Sequence, residues 1–171
     1  MKNILLTGGT GYIAAHTAVV LIEQGYTPIL LDNFVNSSPQ VVERIECITN
    51  VKPTLIKMDV LDTKALTELM RAQKIDAVIH FAALKAVGES VMQPLSYYHN
   101  NVTGLISVLR AMQATEVKRI VLSSSATVYG EFGVSPIVED SPLSATNPYG
   151  QTKVMMEHIV ADVARADASL R

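Results

Sequence analysis

The sequence lacks most of the features that mark secreted, membrane-spanning and nucleic-acid-binding proteins. Its 171 residues include a single cysteine, Cys47, so no internal disulfide is possible, which fits a reducing compartment. Lysine and arginine (14) are balanced by aspartate and glutamate (16), and without a basic stripe nucleic acid is not an expected partner. No apolar run approaches the length of a membrane span, and the opening MKNILLTGG is too short and too rich in glycine for a secretory signal. These absences favour a cytoplasmic protein with no membrane partner.

Potential metal ligands are also few. The histidines, His16, His80, His99 and His158, are not spaced as ligands of one metal ion. His80 lies inside an apolar segment, where a hydrogen-bonded core residue is the simpler interpretation. We therefore expect no metal site.

What the sequence does contain is an alternation of short apolar segments and helical patterns. The apolar segments are nearly continuous, as in parallel strands that are covered on both faces: 3–7, 28–32, 54–59, 76–82 and 119–125. Helical patterns occur at about 12–25, 39–49, 62–73, 94–115 and 148–167. This order predicts an α/β fold with a Rossmann-type doubly wound parallel sheet that ends after about five strands. Its ligand crevice would lie at the carboxyl ends of the strands.

A glycine-rich turn follows the first apolar segment. Gly8 and Gly11 lie between that strand and a helix, where small residues let the backbone approach a pyrophosphate at the helix N-terminus. Ala14 stands where the third glycine of such a turn usually falls, at a position that mainly serves helix–strand packing. The alternative is an ordinary tight turn.

Two carboxylates follow the next strands. Asp32 ends the second strand, where it can accept both hydroxyls of an adenosine ribose and would repel a 2′-phosphate, which favours NAD over NADP. The alternative for Asp32 is a turn cap. Asp59 follows the third strand, and the N-cap of the next helix is an equally open interpretation of it.

A possible acid–base group lies further along the chain. Tyr149 and Lys153 are four residues apart, hence on one helical face, and a serine cluster at 123–125 follows the fifth strand. An ammonium beside a phenol stabilises the phenolate and so favours its use as a base. A surface tyrosine–lysine pair is the alternative.

These segments together resemble a known family. TGGTGYIA, LLDNFVNSS, HFAALKAVGESV, YYHNNVTG, SSSATVYGE and NPYGQTK occur in the order and spacing of the extended short-chain dehydrogenase/reductases, and within them of the branch that inverts carbon 4 of UDP-sugars. The resemblance covers nearly the whole chain. Ala14 and Ala15 depart from the family's usual Gly-Ser.

The resemblance implies NAD as the cofactor, a UDP-sugar as the substrate and a role for each matching residue. The cofactor would be held by Gly8, Gly11, Tyr12, Ile13, Asp32, Asn33, Asn36, Ser37, Asp59, Val60, Phe81, Ala82, Lys85, Asn100, Tyr149 and Lys153. Tyr149, Ser125 and Lys153 would be catalytic. The substrate would contact Lys85, Ser125, Thr127 and Tyr149.

The implied activity is the interconversion of UDP-glucose and UDP-galactose through a 4-keto sugar. Two alternatives remain open: a nucleotide-sugar dehydratase or reductase of the same fold, and a non-catalytic NAD-binding fragment. Dehydrating relatives usually carry an Asp-Glu pair where this chain has Ala126 and Thr127, which speaks against a dehydratase.

The resemblance also bears on the extent of the chain. Family members hold the substrate with a C-terminal region, so residues 1–171 are expected to be an incomplete NAD-binding domain with little or no turnover. Helices 94–115 and 148–167 pair between two subunits in the family and would form a homodimer interface here. The apolar residues of these helices would serve there or, as we favour for most of them, cover the sheet: Val108, Leu109, Met112, Met155, Met156 and Ile159.

Overall fold

The apolar segments form the strands of one parallel sheet. A computed structural model describes residues 2–131 and 136–171. Its strands are β1 (Asn3–Thr7), β2 (Thr27–Asp32), β3 (Thr54–Lys57), β4 (Ile75–His80) and β5 (Ile120–Leu122). They lie in the order β3-β2-β1-β4-β5, with every neighbouring pair parallel. The predicted Rossmann-type doubly wound sheet is confirmed.

The third, fourth and fifth strands end earlier than predicted. Met58, Phe81 and Ser123, the residues that follow them, still donate backbone hydrogen bonds to Asp32 (3.0 Å), Thr7 (3.1 Å) and His80 (3.1 Å) on neighbouring strands. The chain then leaves the sheet at each point and turns along its carboxyl edge.

The helices cover both faces of the sheet. They are α1 (Tyr12–Glu23), α2 (Val41–Thr49), α3 (Thr63–Ala72), α4 (Val87–Met92), α5 (Pro94–Tyr97), α6 (Gly104–Ala114) and α7 (Pro148–Ala166). The predicted helix at 94–115 is helical throughout but divided, because a π-helical segment, Tyr98–Thr103, separates α5 from α6. The short α4 and a 3₁₀ turn at Ala126–Tyr129 have no counterpart in the prediction, since neither is long enough to show a periodic pattern.

The strands β1 to β4 contribute side chains to two apolar layers, whereas the edge strand β5 contributes to one. Leu5 points to the layer formed with α3, α6 and α7, whereas Leu6, the next residue, points to the layer formed with α1 and α2. Both leucines are fully buried. Because both faces of β1 and β2 are covered, their apolar residues follow one another without alternation, whereas Val121 on the edge strand β5 is 60% exposed.

Most apolar residues of the two long helical regions face the sheet. Val108, Leu109, Met112 and Met156 are buried in the layer on that side, and Ile159 packs against it. Met155 is 43% exposed. The expectation that most of these residues cover the sheet is thus confirmed.

The chain reverses its direction of travel across the sheet beside β1. From β1 it moves outward to β2 and β3, and then returns to the other side of β1 as β4 and β5. The crossovers on the two sides leave a crevice at the carboxyl ends of β1 and β4, which is the ligand position in open α/β sheets. No helix in the described part of the chain is long and apolar enough to cross a membrane.

Candidate functional site

A cleft of about 700 Å³ lies at the carboxyl ends of the strands. It is lined by segments that follow β1, β2, β3, β4 and β5 and by the first turns of α7. Residues more than a hundred positions apart in the sequence therefore line the same cleft. Of the predicted site residues, the following line it: Gly8, Gly11, Tyr12, Ile13, Asp32, Asn33, Asn36, Ser37, Asp59, Val60, Phe81, Ala82, Lys85, Asn100, Ser125, Tyr149 and Lys153.

The glycine turn is closed and leaves no space for side chains. Gly8 has φ +66°, and a Cβ there would lie 2.8 Å from the backbone nitrogen of Ala82. A Cβ on Gly9 would lie 2.7 Å from Leu30 Cβ. The Gly11 N–H donates to the Gly8 carbonyl (3.0 Å), which brings the turn back towards the strand. The backbone itself forms this end of the cleft.

The start of α1 is suited to an anion. Its N-cap is Gly11, which offers no side-chain cap, and the first turn holds no acidic residue. The first N–H groups of a helix lack partners within it and carry a partial positive charge. Tyr12 and Ile13 are 75% and 60% exposed. Ala14 is buried and is also among the residues that line the cleft.

Asp32 holds the loop after β2 and also borders the cleft. Its carboxylate accepts hydrogen bonds from the backbone N–H of Thr10 (3.1 Å), the backbone N–H of Phe34 (2.9 Å) and the hydroxyl of Ser37 (2.9 Å). The bond to Phe34 is a turn cap, so that alternative describes part of its role. The bonds to Thr10 and Ser37 join the glycine turn to the loop after β2 and fix the carboxylate at the cleft wall.

Asp59 is not the N-cap of the following helix, so that interpretation is wrong. The N-cap of α3 is Asp62, whose carboxylate accepts from the Ala65 N–H at 2.9 Å. Asp59 instead accepts from the Leu61 N–H (2.9 Å) and from the Asn33 side-chain amide (3.0 Å). These bonds close the cleft where the loops after β2 and β3 meet.

The opposite end of the cleft is built on the first turns of α7. Asn147 is the N-cap, with its side chain accepting from the Gly150 N–H at 2.9 Å. One turn later, Lys153 Nζ donates to the Ser123 carbonyl (2.7 Å) and lies 5.9 Å from the centre of the Tyr149 ring. Lys153 is only 3% exposed, and burial lowers its pKa to about 8, opposed by the negative charge of Glu157. Tyr149 and Lys153 are thus a buried pair rather than a surface one.

Ser125 lies between this pair and the 3₁₀ turn. Its hydroxyl oxygen accepts from the Thr127 hydroxyl (2.9 Å) and the Thr127 N–H (3.3 Å), so its own proton is left to donate elsewhere. Thr127 is not among the residues that line the cleft. It lies in the 3₁₀ turn, where its hydroxyl and backbone N–H both donate to Ser125.

His80 is the hydrogen-bonded core residue that the sequence predicted. Its Nδ1 lies 2.7 Å from the Thr7 hydroxyl, while its Nε2 has no hydrogen-bond partner among the described residues. Burial, and secondarily the charge of Lys153, lower the pKa of His80 to about 3, so the ring is neutral. In the described part of the chain no group of His, Cys, Asp and Glu side chains is arranged as a metal site.

Sequence reasoning missed several buried polar residues at the cleft or beside it, among them Thr10, which lines the cleft, and Asn101 and Thr152. Asn101 and Thr152 are fully buried and bonded to each other at 3.0 Å. Each lies next to a predicted site residue, Asn100 or Lys153. A polar residue inside a helical pattern was the available signal, but it does not distinguish a buried position from an exposed one.

A parallel sheet of this order, with a glycine turn and a cleft where the strand order reverses, defines a nucleotide-binding domain of the Rossmann class. More particularly, the chain belongs to the GDP-mannose 4,6 dehydratase family, whose sequence model matches residues 5–169.

Individual relatives are more specific than the family model. The chain is 54% identical to the UDP-glucose 4-epimerase of Bacillus subtilis over 164 residues, which is 96% of this chain and 48% of the relative. It is similar to the crystal structure of the Bifidobacterium longum UDP-glucose 4-epimerase in complex with NAD⁺ and UDP, at 45% identity with a TM-score of 0.96, over 99% of this chain and 51% of that one. The Stenotrophomonas maltophila enzyme, with bound NAD and formylated UDP-arabinopyranose, has 44% identity and a TM-score of 0.94, over 97% of this chain and 49% of that one. The chain spans about half the length of the curated relatives it matches.

Proposed function

We propose that this chain is the NAD-binding portion of an epimerase that interconverts UDP-glucose and UDP-galactose. The observation that carries the proposal is the assembly, in one cleft, of the Asp32 carboxylate at one end and a buried tyrosine–lysine pair with a serine at the other. The crystallised relatives with NAD and UDP ligands support the choice of cofactor and substrate.

The residues fit NAD on structural grounds. The Gly8 Cβ position is blocked by the Ala82 backbone, so no side chain fits there and the turn borders the cleft with its peptide groups at that point. The uncapped start of α1 is suited to a pyrophosphate, with Tyr12 and Ile13 beside it. Asp32 would hold the adenosine ribose, with the residues of the loop after β2 around it, and a 2′-phosphate there would meet its negative charge. Asp59 and Val60 would flank the adenine, and the remaining predicted residues would surround the inner half of the cofactor.

The proposed acid–base steps depend on Tyr149, Ser125 and Lys153. When bound, NAD would supply a reversible two-electron oxidation of the sugar at carbon 4. Tyr149 would take and return the proton of the 4-hydroxyl. Ser125, whose hydroxyl oxygen accepts from Thr127, would donate a hydrogen bond from its own proton to the 4-hydroxyl oxygen. Lys153, fixed by the Ser123 carbonyl, would stabilise the tyrosinate by its charge. Thr127 would act on the substrate through Ser125.

Epimerisation fits the site better than dehydration. Loss of water from the sugar needs a further acid and base, which dehydrating relatives supply as an Asp-Glu pair. This chain has Ala126 and Thr127 there, and the Thr127 hydroxyl already bonds to Ser125. We further propose that the chain acts in the cytoplasm, that a longer protein pairs through helices 94–115 and 148–167, and that residues 1–171 alone bind NAD with little turnover.

Binding of NAD and NADP by the purified 171-residue chain, measured by calorimetry, tests the proposal. NAD is expected to bind, and NADP at least ~tenfold more weakly. Asp32→Asn is expected to reduce that preference, whereas Asp62→Asn, a matched change at the remote N-cap of α3, is expected to preserve it. Equal affinity of the unaltered chain for both nucleotides would contradict the assignment of Asp32.

A second assay addresses turnover and the remaining alternatives. UDP-galactose is added to the NAD-loaded chain, and sugar products and nicotinamide absorbance are followed. Slow formation of UDP-glucose, or transient nicotinamide reduction, supports epimerase chemistry. A dehydrated sugar product contradicts it, and NAD retained without any reduction favours the non-catalytic fragment.

A further inference from the structure

A buried side-chain amide lies between the segment that follows β4 and the helix that carries Tyr149. Asn101, in the π-helical segment, is fully buried. Its oxygen accepts from the Leu84 N–H (2.8 Å) and the Asn100 side-chain amide (2.9 Å). Its nitrogen donates to the Leu84 carbonyl (3.0 Å) and the Thr152 hydroxyl (3.0 Å). Every hydrogen-bonding site of this amide is therefore used.

Thr152 continues the chain of hydrogen bonds into α7. Its hydroxyl accepts from Asn101 and donates to the Tyr149 carbonyl at 2.6 Å, so both roles of the hydroxyl are satisfied within the protein. Thr152 is fully buried and is not among the residues that line the cleft. It therefore acts only through its neighbours.

We propose that the Thr152 hydroxyl is a positioning residue that sets the first turn of α7, and with it Tyr149 and Lys153, against the segment Ala82–Lys85. Lys85 follows Leu84 directly, so the four hydrogen bonds connect the predicted cofactor-binding segment to the predicted base through a single hydroxyl. This inference rests on the proposed function, because the geometry matters only if both segments contact the same ligand.

Three substitutions test the hydrogen bond between Asn101 and the Thr152 hydroxyl. Thr152→Val keeps the shape but leaves the Asn101 amide hydrogen without an acceptor in a buried place, which forces the amide to turn or the helix to move. Thr152→Ser keeps the hydroxyl. Thr67→Val is the matched control, since the Thr67 hydroxyl also donates to a carbonyl in its own helix, that of Thr63 (2.8 Å), far from the cleft on α3.

The test combines NAD affinity with hydrogen exchange of the Leu84 amide, measured by NMR in the 171-residue chain without ligand. Thr152→Val is expected to weaken NAD binding at least ~tenfold and to accelerate Leu84 exchange by a similar factor. Thr152→Ser and Thr67→Val are expected to stay within ~twofold of the unaltered chain in both measurements.

The two readouts separate this inference from the proposed function. If the unaltered chain binds no NAD, the proposed function fails and Leu84 exchange alone decides the coupling. Unchanged NAD affinity and unchanged Leu84 exchange in Thr152→Val overturn the inference, as does a Thr152→Ser variant that loses as much as Thr152→Val.

A variant that does not fold is handled separately. If Thr152→Val does not fold, Thr152→Ala replaces it. Failure of both to fold, while Thr152→Ser folds, assigns Thr152 to fold stability and also overturns the inference.

Discussion

Lys153 Nζ donates a 2.7 Å hydrogen bond to the carbonyl oxygen of Ser123, and this bond joins α7 to the end of β5. The ammonium is almost completely buried beside the Tyr149 ring, with neutral His80 on the sheet beneath and Glu157 one turn further along the helix. Helix, strand end and charge are thus held together at the point where the proposed chemistry occurs. The position of this charge has consequences for stability as well as for the site.

Lys153→Met is expected to change the pH dependence of stability. Burial lowers the folded-state pKa of Lys153 from 10.5 to about 8, so the cost of the buried charge is fully present below pH 8 and disappears as the pH rises towards 10.5. The stability of Lys153→Met relative to the unaltered chain is therefore expected to fall by on the order of 3 kcal/mol across that range. Urea unfolding at several pH values measures it. Lys64→Met, at an exposed position, is the control and is expected to show no such trend.

His80 is expected to make the protein acid-sensitive. Burial lowers its folded-state pKa from 6.5 to about 3, so below pH 6.5 the unfolded chain binds a proton that the folded chain excludes. The free energy of unfolding is therefore expected to fall by about 1.4 kcal/mol per pH unit, through this residue, as the pH falls from 6.5 towards 3. Denaturant unfolding of His80→Leu is expected to lack this slope, whereas His99→Gln, at an exposed position, keeps it. Equal slopes in His80→Leu and the unaltered chain would show that the ring is protonated in the folded state.

Gly8 and Gly25, on either side of α1, both have positive φ, and substitutions there measure the cost of backbone strain with and without a steric clash. Gly8 (φ +66°) and Gly25 (φ +77°) are both unfavourable for alanine, but only Gly8 has backbone atoms within 3 Å of the Cβ position. Gly25→Ala is expected to cost about 1–2 kcal/mol with unchanged NAD affinity. Gly8→Ala is expected to cost more and to weaken NAD binding, as thermal unfolding and calorimetry would show. Similar behaviour of the two variants would mean that the contact with Ala82 is easily relieved.

The N-cap of α7 is expected to matter for binding as well as for folding. Asn147→Ala and Asp62→Ala each remove one 2.9 Å cap hydrogen bond, from α7 and α3 respectively. Each is expected to lower the free energy of unfolding by about 1 kcal/mol. Only Asn147→Ala is expected to weaken NAD binding, because Tyr149 and Lys153 lie in the turns that Asn147 fixes. A comparable loss of affinity in Asp62→Ala would attribute the effect to general destabilisation.

Patterns within the sequence predicted the elements of the fold well. The five strands lie at the predicted segments because strands covered on both faces, as the central ones are here, need nearly continuous apolar residues, and such a run is visible in the sequence. The division of the helix at 94–115 was not predictable, since the π-helical segment Tyr98–Thr103 contains no proline or glycine that would mark a break in the helical pattern. The role of Asp59 was equally open, because Asp62, three residues later, is as suitable a helix cap.

The sequence by itself determined the glycine turn, the carboxylate at the end of β2 and the tyrosine–lysine spacing on one helix, because each depends on residues close together in the chain. Only the tertiary structure decided which distant groups bond to each other. Thr7 with His80, Ser123 with Lys153 and Asn101 with Thr152 are pairs made by strand order and helix docking. The same packing buries Lys153. Burial and partner choice depend on the whole chain, and these two properties give the side chains of the cleft their proposed roles.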